Sequence, residues 1–139
     1  PLEEEIAFTD REGNIVKVKC KIDTGADSSS IDRELARILG YGDVVEYVDK
    51  ILQVDVAEKE KTERVAYKHL LYGHQDVVKV TRIKTASGFD YRVKIEIPVQ
   101  LKDKQFTMRA TIADRIGLKF PALIGKKDLK EFLIDPIRN

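Results

Sequence analysis

Cysteine is nearly missing from this 139-residue sequence. Cys20 stands alone, so no internal disulfide can form, and the chain fits a reducing, cytoplasmic setting. An excess of either charge is missing too. The 25 Lys and Arg nearly cancel the 24 Asp and Glu, which removes the electrostatic case for a nucleic-acid or membrane-surface partner. The basic and aromatic residues around 82–92 are too sparse to form a base-stacking platform. No apolar run is long enough to span a bilayer and no signal-peptide pattern is present; the start at Pro1 without Met leaves a removed leading segment open. Linkers and internal repeats are also lacking. The length then suits one domain over 1–139, with 41–76 as an unassigned, insertion-like segment and the charged run at 57–64 as a solvated helix face or loop.

Alternation at period two is abundant. Val16, Val18, Cys20 and Ile22 alternate with lysines, which predicts a half-buried strand. It empties into Asp23-Thr24-Gly25. A helix is predicted from an N-cap at Ser30, with Ile31, Leu35, Ile38 and Leu39 as its apolar stripe and Gly40 as its stop. In 41–76, Val44, Val45, Val48, Ile51 and Leu52 fit one helical face, and 64–74 reads equally as helix or strand. Residues 77–83 and 91–97 are predicted to pair as strands around a hairpin tip at 84–90, where Gly88 supplies positive φ. Pro98 belongs at a bend or an edge. Phe106, Met108, Ala110 and Ile112 alternate on a further strand. A short apolar strand at 120–125 and a short helix at 126–133 follow. The sum is an all-β domain of short strands with one or two small helices.

A strand ending in Asp-Thr-Gly holds the Asp23 side chain at the tip of a rigid element. The Thr24 hydroxyl can brace the loop and Gly25 lets backbone approach closely. Asp-Thr-Gly is also ordinary turn chemistry. One carboxylate does not hydrolyse a peptide unaided. Two that share a proton do, one as base toward water and one as acid toward the scissile carbonyl. The chain has a single Asp-Thr-Gly, so the second carboxylate has to come from a second copy across a two-fold axis.

The pair "IDTGADSSSIDRELARILG" and "FPALIGKKDL" resembles the retropepsin-like aspartic proteases, in which an apolar-apolar-Gly segment and its helix pack beneath the Asp-Thr-Gly loop. Within them the chain is similar to the RimB-like group, also called ATP-dependent zinc proteases. The matching motifs are Asp23-Thr24-Gly25-Ala26, Ser87-Gly88 with Arg92, Asp114-Arg115 leading to Phe120–Lys126, and Ile134-Asp135-Pro136. The resemblance covers roughly 15–40 and 77–136. It implies an acid-protease barrel with one half-site per chain and a homodimeric aspartic endopeptidase with Asp23 as the catalytic residue. Thr24, Gly25 and Ala26 would support the loop. Asp27, Ala86, Ser87, Gly88, Arg92 and Arg115 would meet substrate, the 86–88 hairpin acting as a flap.

It further implies a peptide or protein substrate with a glutamate-rich tail and a RimK-type glutamate ligase as functional partner. Arg82, Lys84, Arg92 and Arg115 are then candidates to grip carboxylates, and an ion pair between Asp114 and Arg115 is the plainer alternative for those two. Asp27 departs from the group, which commonly carries Lys or Arg there; retroviral proteases carry Asp, paired with a basic residue that corresponds to Lys126. No cofactor is expected, since hydrolysis needs only water. No metal site is expected: His69 and His74 are five apart rather than four, no HExxH is present, and Cys20 reads as core. A non-catalytic peptide-binding or dimerisation module on the same fold is the alternative function.

Overall fold

The computed structural model describes residues 2–53, 66–86 and 88–134. Seven strands carry the fold: β1 (Leu2–Thr9), β2 (Ile15–Ile22), β3 (Ser29–Asp32), β4 (Lys79–Thr85), β5 (Gly88–Leu101), β6 (Lys104–Ala113) and β7 (Ala122–Ile124). Four helices are described: α1 (Arg33–Ile38), α2 (Gly42–Leu52), α3 (Ala66–Leu71) and α4 (Lys126–Ile134). Ser87, the 57–64 run, Asp135 and Pro136 lie outside the described residues.

β1 and β2 form a hairpin running from Leu2↔Ile22 to Thr9↔Ile15. Its turn is held by Asp10, whose Oδ1 accepts the N–H groups of Glu12 at 2.9 Å and Asn14 at 2.8 Å. The sheet order is β1-β2-β7-β3-β6-β5-β4, and β1 also pairs with β5 through Ala7↔Gln100 and Phe8↔Val99. That extra pairing closes six strands into a barrel and leaves β4 outside the ring on β5. Closure removes the exposed edges that an open sheet would present. Pro98 sits between the part of β5 that pairs with β4 and the part that pairs with β1, where a missing N–H costs least. Alternate residues of β5 and β6, from Tyr91 to Leu101 and from Phe106 to Ala110, point into one core with Ile6, Phe8, Cys20 and Ile124.

The helix expected from Ser30 starts later. Ser29–Asp32 are a strand between β6 and β7, and α1 begins at Arg33 with Asp32 as N-cap, its carboxylate accepting the Glu34 N–H. Ile31 is buried by strand pairing rather than by a helical stripe, and Ile38, expected in that stripe, is 63% exposed. Over four residues a buried Ser29 and Ile31 look alike at period two and at the start of period 3.6. Gly40 does end the segment, with φ +95°.

In 41–76 the helical face is real. Val44 and Val45 of α2 are buried, Val48, Ile51 and Leu52 pack against the core, and the open choice at 64–74 resolves as helix over Ala66–Leu71. Arg11, on the β1–β2 turn, ties this region to the barrel by ion pairs to Asp76 and, at 3.6 Å, to Asp43.

Candidate active site

β2 runs parallel to β7 through Lys21↔Leu123 and Ile22↔Ile124, and the Asp23 N–H continues the ladder by donating to the Ile124 carbonyl at 3.0 Å. The chain then folds back on itself. Gly25 N–H donates to Asp23 Oδ1 at 2.9 Å and Ala26 N–H to the Asp23 carbonyl at 3.2 Å. A Cβ on Gly25 would stand 3.1 Å from Asp23 Oδ1, so glycine is what lets the carboxylate lie over this amide. Thr24 is exposed at the tip, and within the chain the hydrogen bonds that hold the Asp23 carboxylate and carbonyl come from the backbone amides of Gly25 and Ala26. Lys21 Nζ lies 3.7 Å from Asp23 Oδ2.

The underside of this loop is fixed by α4. The Ala26 carbonyl accepts Lys126 N–H at 2.7 Å and the Asp27 carbonyl accepts Lys127 N–H at 3.0 Å. The first amides of a helix have no partner within the helix, and here the Asp23 loop supplies one for each of the first two. So close an approach excludes a side chain at Gly125, where a Cβ would fall 2.5 Å from the Ser28 carbonyl carbon and oxygen. Below it, Gly125 N–H donates to Ser29 Oγ at 2.9 Å, and the buried Ser29 hydroxyl donates to Asp128 Oδ2. Asp128, 7% exposed, also accepts Arg109 N–H at 3.1 Å, the amide of β6 just before the Ser29↔Ala110 pair that opens the β3 ladder. Sequence reasoning missed Ser29 and Asp128; the one hint was an acid in the first turn of the predicted C-terminal helix. Asp27 does meet Lys126, at 3.5 Å, but with side chains 76% and 60% exposed the pair is a surface contact.

The other expected residues are dispersed. Arg115 is committed to the 114–121 loop: its Nε donates to the Phe120 carbonyl at 3.1 Å, its Nη1 to Ser30 Oγ at 3.0 Å, and its N–H to Asp32 Oδ1 at 2.7 Å. Asp114 forms no ion pair with it and instead accepts Ile116 N–H at 3.2 Å. Arg92 lies 3.9 Å from Asp90 and lines a cavity of about 340 Å³ between α2 and β5, with Arg33 and Asp49. Neither Asp23 nor its loop lines that cavity. Ala86 is exposed at the β4–β5 turn, Gly88 has φ +140° and accepts Thr85 Oγ1 at 3.2 Å, and the Arg82 guanidinium lies over the Phe89 ring at 4.2 Å.

Among the described residues one group could approach a metal ion: Asp43, His74 and Asp76, with ligand atoms within 4.8 Å of one another. Arg11 is already paired with both carboxylates, so a fixed cation stands where an ion would compete. His69 is exposed on α3 and is not a member of this group. Cys20 is buried, and burial pushes its thiol up from 9.0 to about 12, which makes it an inert part of the core.

A closed six-strand barrel with Asp-Thr-Gly at the end of one strand, and a glycine-helix unit under it, defines the retropepsin-like protease fold. The chain belongs to the RimB-like family, described as retropepsin-like aspartic endopeptidase RimB, whose model matches residues 3–139. The simian foamy virus (mac) protease in solution is similar in fold, at TM-score 0.54 and 10% identity, covering 97% of this chain and 99% of the viral one. A retropepsin-like aspartic protease from Rickettsia conorii matches at TM-score 0.41 and 18% identity, over 93% of this chain and 80% of that one. No curated protein matches the chain. Among the described residues, no helix is long and apolar enough to cross a membrane.

Proposed function

We propose that the protein is a homodimeric aspartic peptidase. Two Asp23 carboxylates, one from each copy, share a proton across the two-fold axis and activate water against a peptide carbonyl. The observation that carries this reading is the build of the Asp23 loop. Its carboxylate is held by Gly25 N–H and its backbone is locked to α4 through the contact at Gly125, the preorganisation a catalytic group needs. The β4–β5 turn at Ala86 and Gly88 serves as flap over the peptide. The substrate is a peptide or protein with an acidic, glutamate-rich tail of the kind a RimK-type ligase adds, and the enzyme acts in the cytoplasm.

A second reading has one observation in its favour. Lys21 beside Asp23 competes with a second carboxylate for that position, which suits a peptide-binding or dimerisation module. One variant separates the two. On the peptidase reading Asp23→Asn abolishes hydrolysis of a peptide panel while folding and dimer mass, measured by circular dichroism and light scattering, stay as they were. Hydrolysis that survives in Asp23→Asn contradicts it, and unmutated protein that binds peptides but cuts none favours the module.

A further inference from the structure

Lys94 reaches the Asp23 loop from a different strand. It projects from β5, the strand that leads away from the flap turn, and its Nζ donates to Ser28 Oγ at 3.1 Å. Ser28 is five residues past Asp23 on the segment that caps α4. Lys94 therefore joins the strand that follows the β4–β5 turn to the segment that follows Asp23.

Its surroundings are short of negative charge. Lys79 is its direct cross-strand partner on β4, and like charges so placed repel. Partial burial pushes the Lys94 ammonium below its ordinary 10.5, Lys127 pushes it further, and Arg109 and Lys79 add to this against the pull of Asp128. Asp128 is already accepting from Ser29 and from Arg109 N–H, and the Arg109 guanidinium is paired with Glu96 at 3.0 Å. The fold holds a partly desolvated cation against the catalytic loop, and the carboxylate bearing on it is spoken for.

We propose that Lys94, seated on Ser28, is a carboxylate-binding subsite of the cleft that reads one acidic side chain of the peptide substrate. An incoming Glu or Asp side chain forms a charge-assisted bond to Nζ and relieves the repulsion from Lys79 and Lys127. Lys94 is then a specificity residue for the peptidase proposed above and rests on that reading.

The experiment uses the full chain carrying Asp23→Asn, so that binding is read without turnover. Peptides with a central apolar pair are made as Glu and Gln twins, with the acidic residue walked outward one position at a time. Binding is measured by fluorescence anisotropy. With Lys94 present, one position favours Glu over Gln by about tenfold, the size of one charge-assisted contact. Lys94→Met, which keeps the length of the side chain, erases that preference, and Lys94→Arg keeps it. In the unmutated site the preference fades as pH rises toward 10.5, a readout that needs no Lys94 variant to fold.

A preference that survives Lys94→Met, or that persists above pH 10.5, overturns the assignment. So does the absence of any such position when Lys94 is intact, and so does equal weakening of both twins by Lys94→Met, which marks Lys94 as a loop brace only. Failure of the peptidase reading looks different: protein with Asp23 intact then cuts none of the peptides, whatever the Glu preference.

Discussion

The Asp23 loop and the helical segment at 41–76 are attached to the same barrel by opposite means. The loop is held from beneath by backbone. Two of its carbonyls cap α4, Gly125 leaves no room for a Cβ beside Ser28, and a buried Ser29–Asp128 hydrogen bond sits below. The described parts of 41–76 pack apolar side chains of α2 and α3, among them Val44, Val45, Tyr67 and Leu71, on the core, and their polar ties to the barrel are made by side chains, Arg11 to Asp76 and Asp43, and Tyr72 Oη accepting Val80 N–H at 3.1 Å. Interlocked buried polar contacts fix a position to fractions of an ångström, whereas surface ion pairs contribute little and tolerate drift. The rigid attachment is found where two carboxylates would have to meet; the looser one is found in the segment that carries none of the motifs read from the sequence.

The contrast breaks first at Gly125. Gly125→Ala puts a methyl group 2.5 Å from the Ser28 backbone, and the expected loss is about 3 kcal/mol or more, together with all hydrolysis. Urea unfolding reads it; a shift within error would mean the loop yields easily. Asp128→Ala comes next. It strands the Ser29 hydroxyl and the Arg109 N–H in a buried site, for a loss of about 2–3 kcal/mol in thermal unfolding, and Asn at the same position recovers part of that.

Alkaline pH acts on the barrel itself. The Cys20 thiol is raised in the folded chain from 9.0 to about 12, so the folded state holds a proton that the unfolded state releases near 9.0. The stability conferred is complete below pH 9.0 and is lost as pH climbs toward 12, and replacing Cys20 by Val flattens that decline. The smallest effect belongs to the helical segment. Arg11→Ala costs about 1 kcal/mol or less and leaves both hydrolysis and the slow labelling of Cys20 by thiol reagents unchanged. Fast labelling in that variant would show that the Arg11 ion pairs help to hold the barrel closed.

These regions differed in legibility for the same physical reason. Strand alternation and the Asp-Thr-Gly stop are local, so β2, the β4–β5 pair, the β6 strand and the Asp23 loop could be read directly from residue order. The α4 helix was legible from its short apolar pattern. The β3 strand was not, because four residues between two partners carry no period of their own; its identity comes from β6 and β7, about 80 and 90 residues later. Asp128 and Lys94 were invisible as site residues for a related cause. Each looks like an ordinary surface charge on its own element, and only the closed barrel brings them to Ser29 and Ser28. Arg115 shows the converse. Its motif suggested a substrate contact, while the fold occupies its guanidinium with Phe120 and Ser30.

The central claim is that one active site needs Asp23 from two chains. Unmutated protein is mixed with Asp23→Asn protein at fixed total concentration, subunits are allowed to exchange, and hydrolysis is followed against the unmutated fraction. A shared pair predicts activity that falls as the square of that fraction, about a quarter in an equal mixture. Activity falling in simple proportion, about half in the equal mixture, would mean that each chain works alone and would contradict the account.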